Sequence, residues 1–320
     1  MPILTIEAPA KVNLHLRVKD RRPDGFHNLE SIFAALAFGD TLRFELLDED
    51  KTLEIHMKFQ REPAPMEAFP PEKNIIFKAV SLFRSRTGYT RGLRIWVNKR
   101  IPLGGGLGGG SSDAASTLLA LNSLYTTSGL GADSLAEMAA SLGSDVPFFL
   151  TETSAAWVSG CGERITSLEA PKNLFFVLVN PGFPSVTAEA FRLLDEFRER
   201  QGENNARRNA EARGSTAKVP GLELGKRLSP SPRDWSFEND FLPVLGAATE
   251  GEKGAAYREI LGRLRDLGAD FAGLSGAGST CFGVFTDREK AEKAEKNLLK
   301  TWNFVKISFL LARKALSVLK

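Results

Sequence analysis

Hydrophobic spacing changes period several times along the chain, and each change marks an element. Leu93-Arg-Ile-Trp-Val97 alternates apolar and polar positions, the period-two pattern of a half-buried strand. Residues 111–125 are rich in Ala and Leu and open on Ser-Ser-Asp, which predicts a capped helix start. A second, shorter helix is expected over 135–142. Asn173-Leu-Phe-Phe-Val-Leu-Val179 is an apolar run of β-formers and reads as a buried strand. Farther on, 257–267 has amphipathic helical spacing, 280–285 reads as extended, 289–299 as helical and 304–311 as a last strand. That order, helix–strand–helix–strand, predicts an α+β architecture with helices on one face of a sheet. No repeat of fixed period interrupts it.

The stretch from Arg198 to Arg233 differs from its surroundings. It is polar and basic, carries Gly, Pro and Ser, and lacks apolar periodicity, so it is expected to form a surface insertion with little order of its own. A length of 320 residues suggests two domains. The division is expected near residue 165, where Gly160-Cys-Gly162 gives way to Glu169-Ala-Pro171, giving domains 1–165 and 166–320, the second carrying the insertion near 198–233.

Composition narrows the function classes. The chain is 42% hydrophobic and 25% charged, as soluble globular proteins are. Lys+Arg 42 against Asp+Glu 39 leaves a net charge of +3, so neither nucleic acid nor an anionic membrane is an expected partner. The basic insertion is the one place where nucleic-acid binding would have to reside. No apolar run reaches the roughly 18 residues of a membrane span. Met1-Pro-Ile-Leu-Thr-Ile-Glu7 has neither the basic nor the long apolar region of a signal peptide. Two cysteines, Cys161 and Cys281, are too few for a disulfide framework or a cysteine-built zinc site. The expected compartment is a reducing cytoplasm.

The strongest local signal is Pro102-Leu-Gly-Gly-Gly-Leu-Gly-Gly-Gly-Ser-Ser-Asp-Ala-Ala115, which joins a predicted strand to a predicted helix. Without Cβ atoms, the backbone amides of such a run can approach a ligand closely and take positive φ. The helix start adds free N–H groups and a partial positive charge, and Ser111 and Ser112 add hydroxyls. Together these suit a polyphosphate. Gly104, Gly106 and Gly109 satisfy G-x-G-x-x-G, but a convincing dinucleotide-binding context with a later acidic residue is lacking. A Walker A loop would need Lys before the Ser, and a glycine stands there. A plain hinge would need neither the preceding proline nor the capped helix.

Pro102–Ala115 resembles the phosphate-binding motif of the GHMP kinase superfamily, the galacto-, homoserine-, mevalonate- and phosphomevalonate kinases. Ala8-Pro-Ala-Lys-Val-Asn-Leu14 is similar to its N-terminal motif, and Leu274-Ser-Gly-Ala-Gly-Ser-Thr280 to its C-terminal glycine motif. Arg22-Pro-Asp-Gly-Phe-His-Asn-Leu29 and Leu142-Gly-Ser-Asp-Val-Pro-Phe148 resemble more closely one branch of it. That branch phosphorylates the 2-hydroxyl of 4-diphosphocytidyl-2-C-methyl-D-erythritol, in the non-mevalonate route to isoprenoid precursors. The five motifs occur in the right order and leave only the insertion unmatched. The resemblance implies two α+β domains, each a mixed or antiparallel sheet packed with helices, with the active site in the interdomain cleft. It also implies a small-molecule substrate, ATP and Mg²⁺.

The site residues follow from that resemblance. An alcohol attacking ATP needs somewhere for its proton and charge neutralisation of the phosphates. Asp145, which on its own would read as a turn or cap residue, is implied as the general base, with Lys11 as its cationic partner. Lys11 and Asn13 share one face of a predicted strand with Val12 on the other, so both can point into one cleft. Asn13 is implied to bind substrate near the reacting hydroxyl. Phe26 and His27 are implied to take the cytosine by stacking and edge hydrogen bonding, Phe26 standing where Tyr is commoner and keeping the ring face. Thr187 and Phe191 are further substrate contacts, Phe191 as the second side of a cytosine sandwich. The loop residues Pro102, Leu103, Gly104, Gly105, Gly106, Leu107, Gly108, Gly109, Gly110, Ser111 and Ser112 would hold ATP, with Asn74, Ile75 and Lys99 around the adenine. Among them Ser112 is the candidate metal ligand, and no Glu matches a metal-binding motif. Two other readings stay open: a kinase for mevalonate or homoserine, and a non-catalytic sensor of nucleotide and sugar on the same fold.

Overall fold

The computed structural model describes residues 3–60, 71–124, 129–200, 228, 231–247 and 252–311. Most of the predicted insertion, 201–227 and 229–230, lies outside the described residues. Two long strands open the chain, β1 (Ile3–Arg21) and β2 (His27–Asp50), followed by β3 (Leu53–Phe59). Strict alternation in β1 buries Leu4, Ile6 and Ala8 on one side. Helix α1 (Ile75–Thr87) starts where Asn74 Oδ1 accepts the Ile76 N–H at 2.9 Å, and it stops at Gly88, whose φ of +72° continues no helix. Then come β4 (Arg91–Lys99), α2 (Gly109–Leu124), α3 (Ala132–Leu142), α4 (Val146–Leu150), β5 (Ala155–Gly160) and β6 (Arg164–Leu168). The rest comprises β7 (Phe175–Asn180), α5 (Thr187–Arg200), α6 (Glu252–Asp266), β8 (Phe271–Leu274), β9 (Cys281–Phe285), α7 (Arg288–Leu298) and β10 (Phe304–Phe309).

The first sheet runs β3-β4-β2-β5-β6, with β1 also pairing along β2. It is mixed: β3 and β4 run parallel while the other pairs are antiparallel. The second sheet, β10-β7-β9-β8, is antiparallel throughout. Helices α1 to α4 cover the first sheet through a core that includes Phe33, Phe44, Ile95, Leu118 and Phe148. Helices α5, α6 and α7 cover the second through Val177, Val179, Leu194, Ile260 and Phe285. The remaining faces meet in a third core, where Ile32, Ala34 and Leu36 of β2 lie with Phe176, Leu178 and Phe282. Side chains alternate across a strand, so successive residues of β2 and β7 serve two cores.

This is the expected α+β arrangement of two sheets packed with helices. The helix over 111–125 begins two residues earlier, at Gly109, so Ser111 and Ser112 lie inside its first turn and Asp113 just beyond it, rather than capping it. The tail reads helix–strand–strand–helix–strand: β8 falls in a four-residue stretch too short for its alternation to register. Residue 165 falls within β6, which belongs to the first sheet; the second sheet starts at Phe175.

Candidate active site

Four segments converge on one cleft of about 360 Å³: β1, the 102–111 loop, the start of α4 and the 276–278 loop. Lys11 and Asn13 enter it from β1, both on the side away from Val12. The Lys11 ammonium lies 3.3 Å from Asp145 Oδ2 and 4.7 Å from the centre of the Phe33 ring. Its side chain is 4% exposed and that of Asp145 28%, so the pair joins a buried cation to a carboxylate that still faces the cleft. Lys11 Nζ also donates to Asn13 Oδ1 at 2.6 Å. The Asn13 amide is fixed from behind, its Nδ2 donating to Ser31 Oγ at 2.9 Å, while Ser31 Oγ donates to the His15 carbonyl. Asn13 therefore turns its oxygen to Lys11 and orients it.

The glycine loop owes its path to contacts with the second half of the chain. Gly104, Gly106 and Gly108 have φ of +62°, +74° and +69°, the left-handed region that glycine enters freely. Ser275 Oγ donates to Gly106 O at 2.9 Å, Thr280 N to Gly105 O at 3.1 Å and Ser185 N to Gly104 O at 2.9 Å. On the other side Lys11 N donates to Leu107 O at 2.9 Å. With its carbonyls occupied in this way, the loop wraps the cleft from Pro102 to Ser111, beside Lys11 and Asp145.

Ile75, Thr187 and Phe191 line the same cleft. Asn74 does not. Its amide is spent on the α1 cap and on a 3.4 Å contact with Met57 S. Lys99 reaches the cleft wall, but its ammonium is buried and bonded to Asp40 and, at 2.6 Å, to Asp113. Burial opposes that charge and the two carboxylates more than offset it, holding the ammonium above its ordinary value. Ser112 is fully buried beneath the loop with no hydrogen-bond partner for its hydroxyl, and Ser111 is the serine that faces the cleft.

His27 and Phe191 are brought together differently from the expected sandwich. The two rings stack on each other at 5.0 Å, and Phe191 meets Phe241 edge-on at 5.0 Å. His27 Nε2 lies 3.0 Å from Asp195 Oδ1, one helical turn beyond Phe191 on α5. Phe26 is 63% exposed and outside the cleft lining.

Sequence reasoning missed Ser31, Ser185, Asp195 and Asp113. A buried hydroxyl on a strand gives no sequence signal, whereas the Phe191–Asp195 spacing would have been readable had α5 been anticipated. Ser275 stood inside the C-terminal glycine motif without a role. Among the described residues no group of three or more His, Cys, Asp or Glu side chains could hold a metal.

Comparison with known proteins identifies the family. Residues 74–153 match the GHMP kinases N terminal domain and residues 239–303 the GHMP kinases C terminal domain. A 4-diphosphocytidyl-2-C-methyl-D-erythritol kinase of Prosthecochloris aestuarii is 34% identical over 318 residues, 98% of this chain and 100% of that protein. The protein of that name from Treponema pallidum is 37% identical, covering 94% of this chain and 97% of its own. A crystal structure of 4-(cytidine 5'-diphospho)-2C-methyl-D-erythritol kinase superposes with a TM-score of 0.70 at 30% identity, over 95% of this chain and 98% of that one. Homoserine kinase from Cytophaga hutchinsonii shares the fold at a TM-score of 0.66 and 18% identity, over 97% of this chain and 95% of that one. With relatives 34–37% identical over 94–98% of its length, the chain belongs to the 4-diphosphocytidyl-2-C-methyl-D-erythritol kinases of the GHMP kinase family.

Proposed function

We infer that the chain transfers the γ-phosphoryl group of ATP to the 2-hydroxyl of 4-diphosphocytidyl-2-C-methyl-D-erythritol, giving the 2-phosphate and ADP. The observation that carries the site assignment is Lys11 Nζ at 3.3 Å from Asp145 Oδ2, both facing the cleft rimmed by Gly104–Gly110. Asp145 accepts the hydroxyl proton while the alcohol oxygen bonds to the γ-phosphorus and the bond to the β–γ bridging oxygen breaks. Lys11, held by Asn13 and by the face of Phe33, lies against Asp145 and stabilises charge on the phosphoryl oxygens. The loop amides supply further donors, and the first turn of α2 presents its positive end to the phosphates.

His27, Phe26, Phe191 and Thr187 are assigned to the cytidyl end. Because His27 covers one face of Phe191, the base has the other face or the His27 edge, a tighter choice than a sandwich between two phenylalanines. Ile75 borders the adenine, and Asn74 acts there through the α1 cap it makes. Mg²⁺ prefers oxygen ligands and keeps waters and phosphates around it. Among the described residues Asp145 is the single carboxylate lining the cleft, beside the hydroxyls of Ser111, Ser185 and Thr187, an oxygen set that fits an ion carried in on the nucleotide. When bound, it would neutralise phosphate charge.

Of the described residues, no helix is long and apolar enough to cross a membrane, and a cytoplasmic enzyme is the corresponding proposal. We place the division between its two domains after Leu168 and before Phe175.

Turnover tests the assignment. Asp145→Ala should lower kcat by about 10²–10⁴-fold, the usual worth of a positioned base, while an ATP analogue still binds. Near-native kcat would remove Asp145 from the reaction. ATP consumption with mevalonate or homoserine, and none with the cytidyl substrate, would favour another kinase of the superfamily; binding without turnover would favour a sensor.

A further inference from the structure

Both ends of the glycine loop are tied to one buried carboxylate pair. The loop leaves the first sheet just after Lys99, at the end of β4, and enters α2 at Gly109, one turn before Asp113. Lys99 Nζ bridges the two carboxylates, bonding Asp113 Oδ2 at 2.6 Å and Asp40 Oδ2 on β2. Asp40 Oδ1 accepts the successive backbone N–H groups of Arg100 at 2.5 Å and Ile101 at 2.8 Å, so the exit from β4 is fixed at two peptide units. All three side chains are buried, and Asp113 Oδ1 has no hydrogen-bond partner.

Two carboxylates against one ammonium is an expensive way to fill a core, and apolar side chains of similar volume would often be as stable or more so. Burial drives the Asp113 carboxyl above its ordinary range, the sign that the cluster opposes its own second negative charge. What the cluster supplies is position. It is a direct side-chain link from the strand before the glycine loop to the helix in which that loop ends. It also places a cation next to a carboxylate that would otherwise stand, uncompensated, at the start of the second turn of α2.

We propose that Asp40, Lys99 and Asp113 are positioning residues that hold the two ends of the 102–112 loop in the register at which its amides face a single nucleotide. The proposal rests on the reading that this loop holds ATP. It gives Lys99 a role that does not involve the adenine.

The test compares Asp113→Ala with Asp113→Asn, which keeps an oxygen for Lys99. Binding of a non-hydrolysable ATP analogue with Mg²⁺ is measured by calorimetry, alongside kcat and KM for both substrates. Asp113→Ala should raise the analogue Kd and the ATP KM at least tenfold, leaving the KM for the alcohol within twofold. Asp113→Asn should return nucleotide affinity to within threefold of native. A folded Asp113→Ala enzyme with native nucleotide affinity overturns the proposal, as does a parallel rise in both KM values that Asp113→Asn fails to correct. Should Asp113→Ala not fold, the double variant Lys99→Met/Asp113→Leu decides: tenfold weaker nucleotide binding upholds the clamp, and native binding refutes it. A native enzyme without saturable binding of the analogue would instead defeat the reading of the loop.

Discussion

Replacing Gly106 by alanine isolates the packing of one loop on another. The residue has φ of +74°, and a Cβ there would stand 2.1 Å from the Ser275 carbonyl oxygen and 2.7 Å from that of Gly278. Both are backbone atoms, so the loops must part. Left-handed backbone costs a residue with a Cβ about 1–2 kcal/mol. Parting the loops also breaks the Ser275–Gly106 and Thr280–Gly105 hydrogen bonds, each worth about 1 kcal/mol net. The expected loss is therefore about 3–4 kcal/mol, which a domain of ordinary stability survives. Gly110 gives the contrast: a Cβ there meets only Ile75 Cγ2, at 3.6 Å, from a position in the first turn of α2. Gly110→Ala should change stability by less than about 1 kcal/mol, with a gain more natural than a loss. Urea unfolding followed by tryptophan fluorescence measures both, and steady-state kinetics should show the ATP KM of Gly106→Ala raised at least tenfold. Equal stability of the two variants, or a native ATP KM for Gly106→Ala, would refute the claim that the 275–280 segment sets the shape of the loop.

Two further predictions concern residues behind the cleft. Ser31→Ala removes the group that fixes the Asn13 amide, a hydrogen bond worth about 1 kcal/mol; kcat should fall about fivefold with both KM values within twofold, and an unchanged kcat would exclude an orienting role. His15 has its pKa lowered by burial, and its Nδ1 accepts the Glu238 N–H at 3.2 Å. Below about pH 6.5 the unfolded chain takes a proton that the folded chain resists, so stability is lost as pH falls through that value. The urea midpoint should thus drop more between pH 7.5 and 5.5 for the native chain than for His15→Gln; parallel slopes would contradict this.

Local chemistry made part of the site legible and long-range pairing hid the rest. Gly104–Gly110 is conspicuous because six glycines in seven positions are costly in unfolded-state entropy and have few purposes beyond close approach. Alternation from Leu4 to Val18 marks β1 along its length, well beyond Ala10–Asn13, and so aims Lys11 and Asn13 together. Sequence does not carry the register shifts of β1 against β2, between Pro9 and Lys11 and again between Asn13 and His15. Those irregularities let one strand serve three cores in succession, with Ala8, Val12 and Leu16 each in a different one. Nor does sequence carry the meeting of Asp40, Lys99 and Asp113, since a charged residue at the end of a strand looks solvated until its partner arrives from elsewhere in the chain. Asn74, implied by resemblance at the adenine, caps α1 and does not line the cleft.

One hydroxyl joins the halves of this enzyme in time as well as in space. Ser275 Oγ donates to Gly106 O across 169 positions of chain and accepts the Asn13 N–H across 262. On the ribosome, the strand bearing Lys11 and the loop proposed to hold ATP are both made long before the segment that locks them. A nascent chain therefore carries every group assigned to the chemistry yet lacks the contacts that set their geometry until translation has passed Thr280. The geometry of the cleft is thus completed late in synthesis.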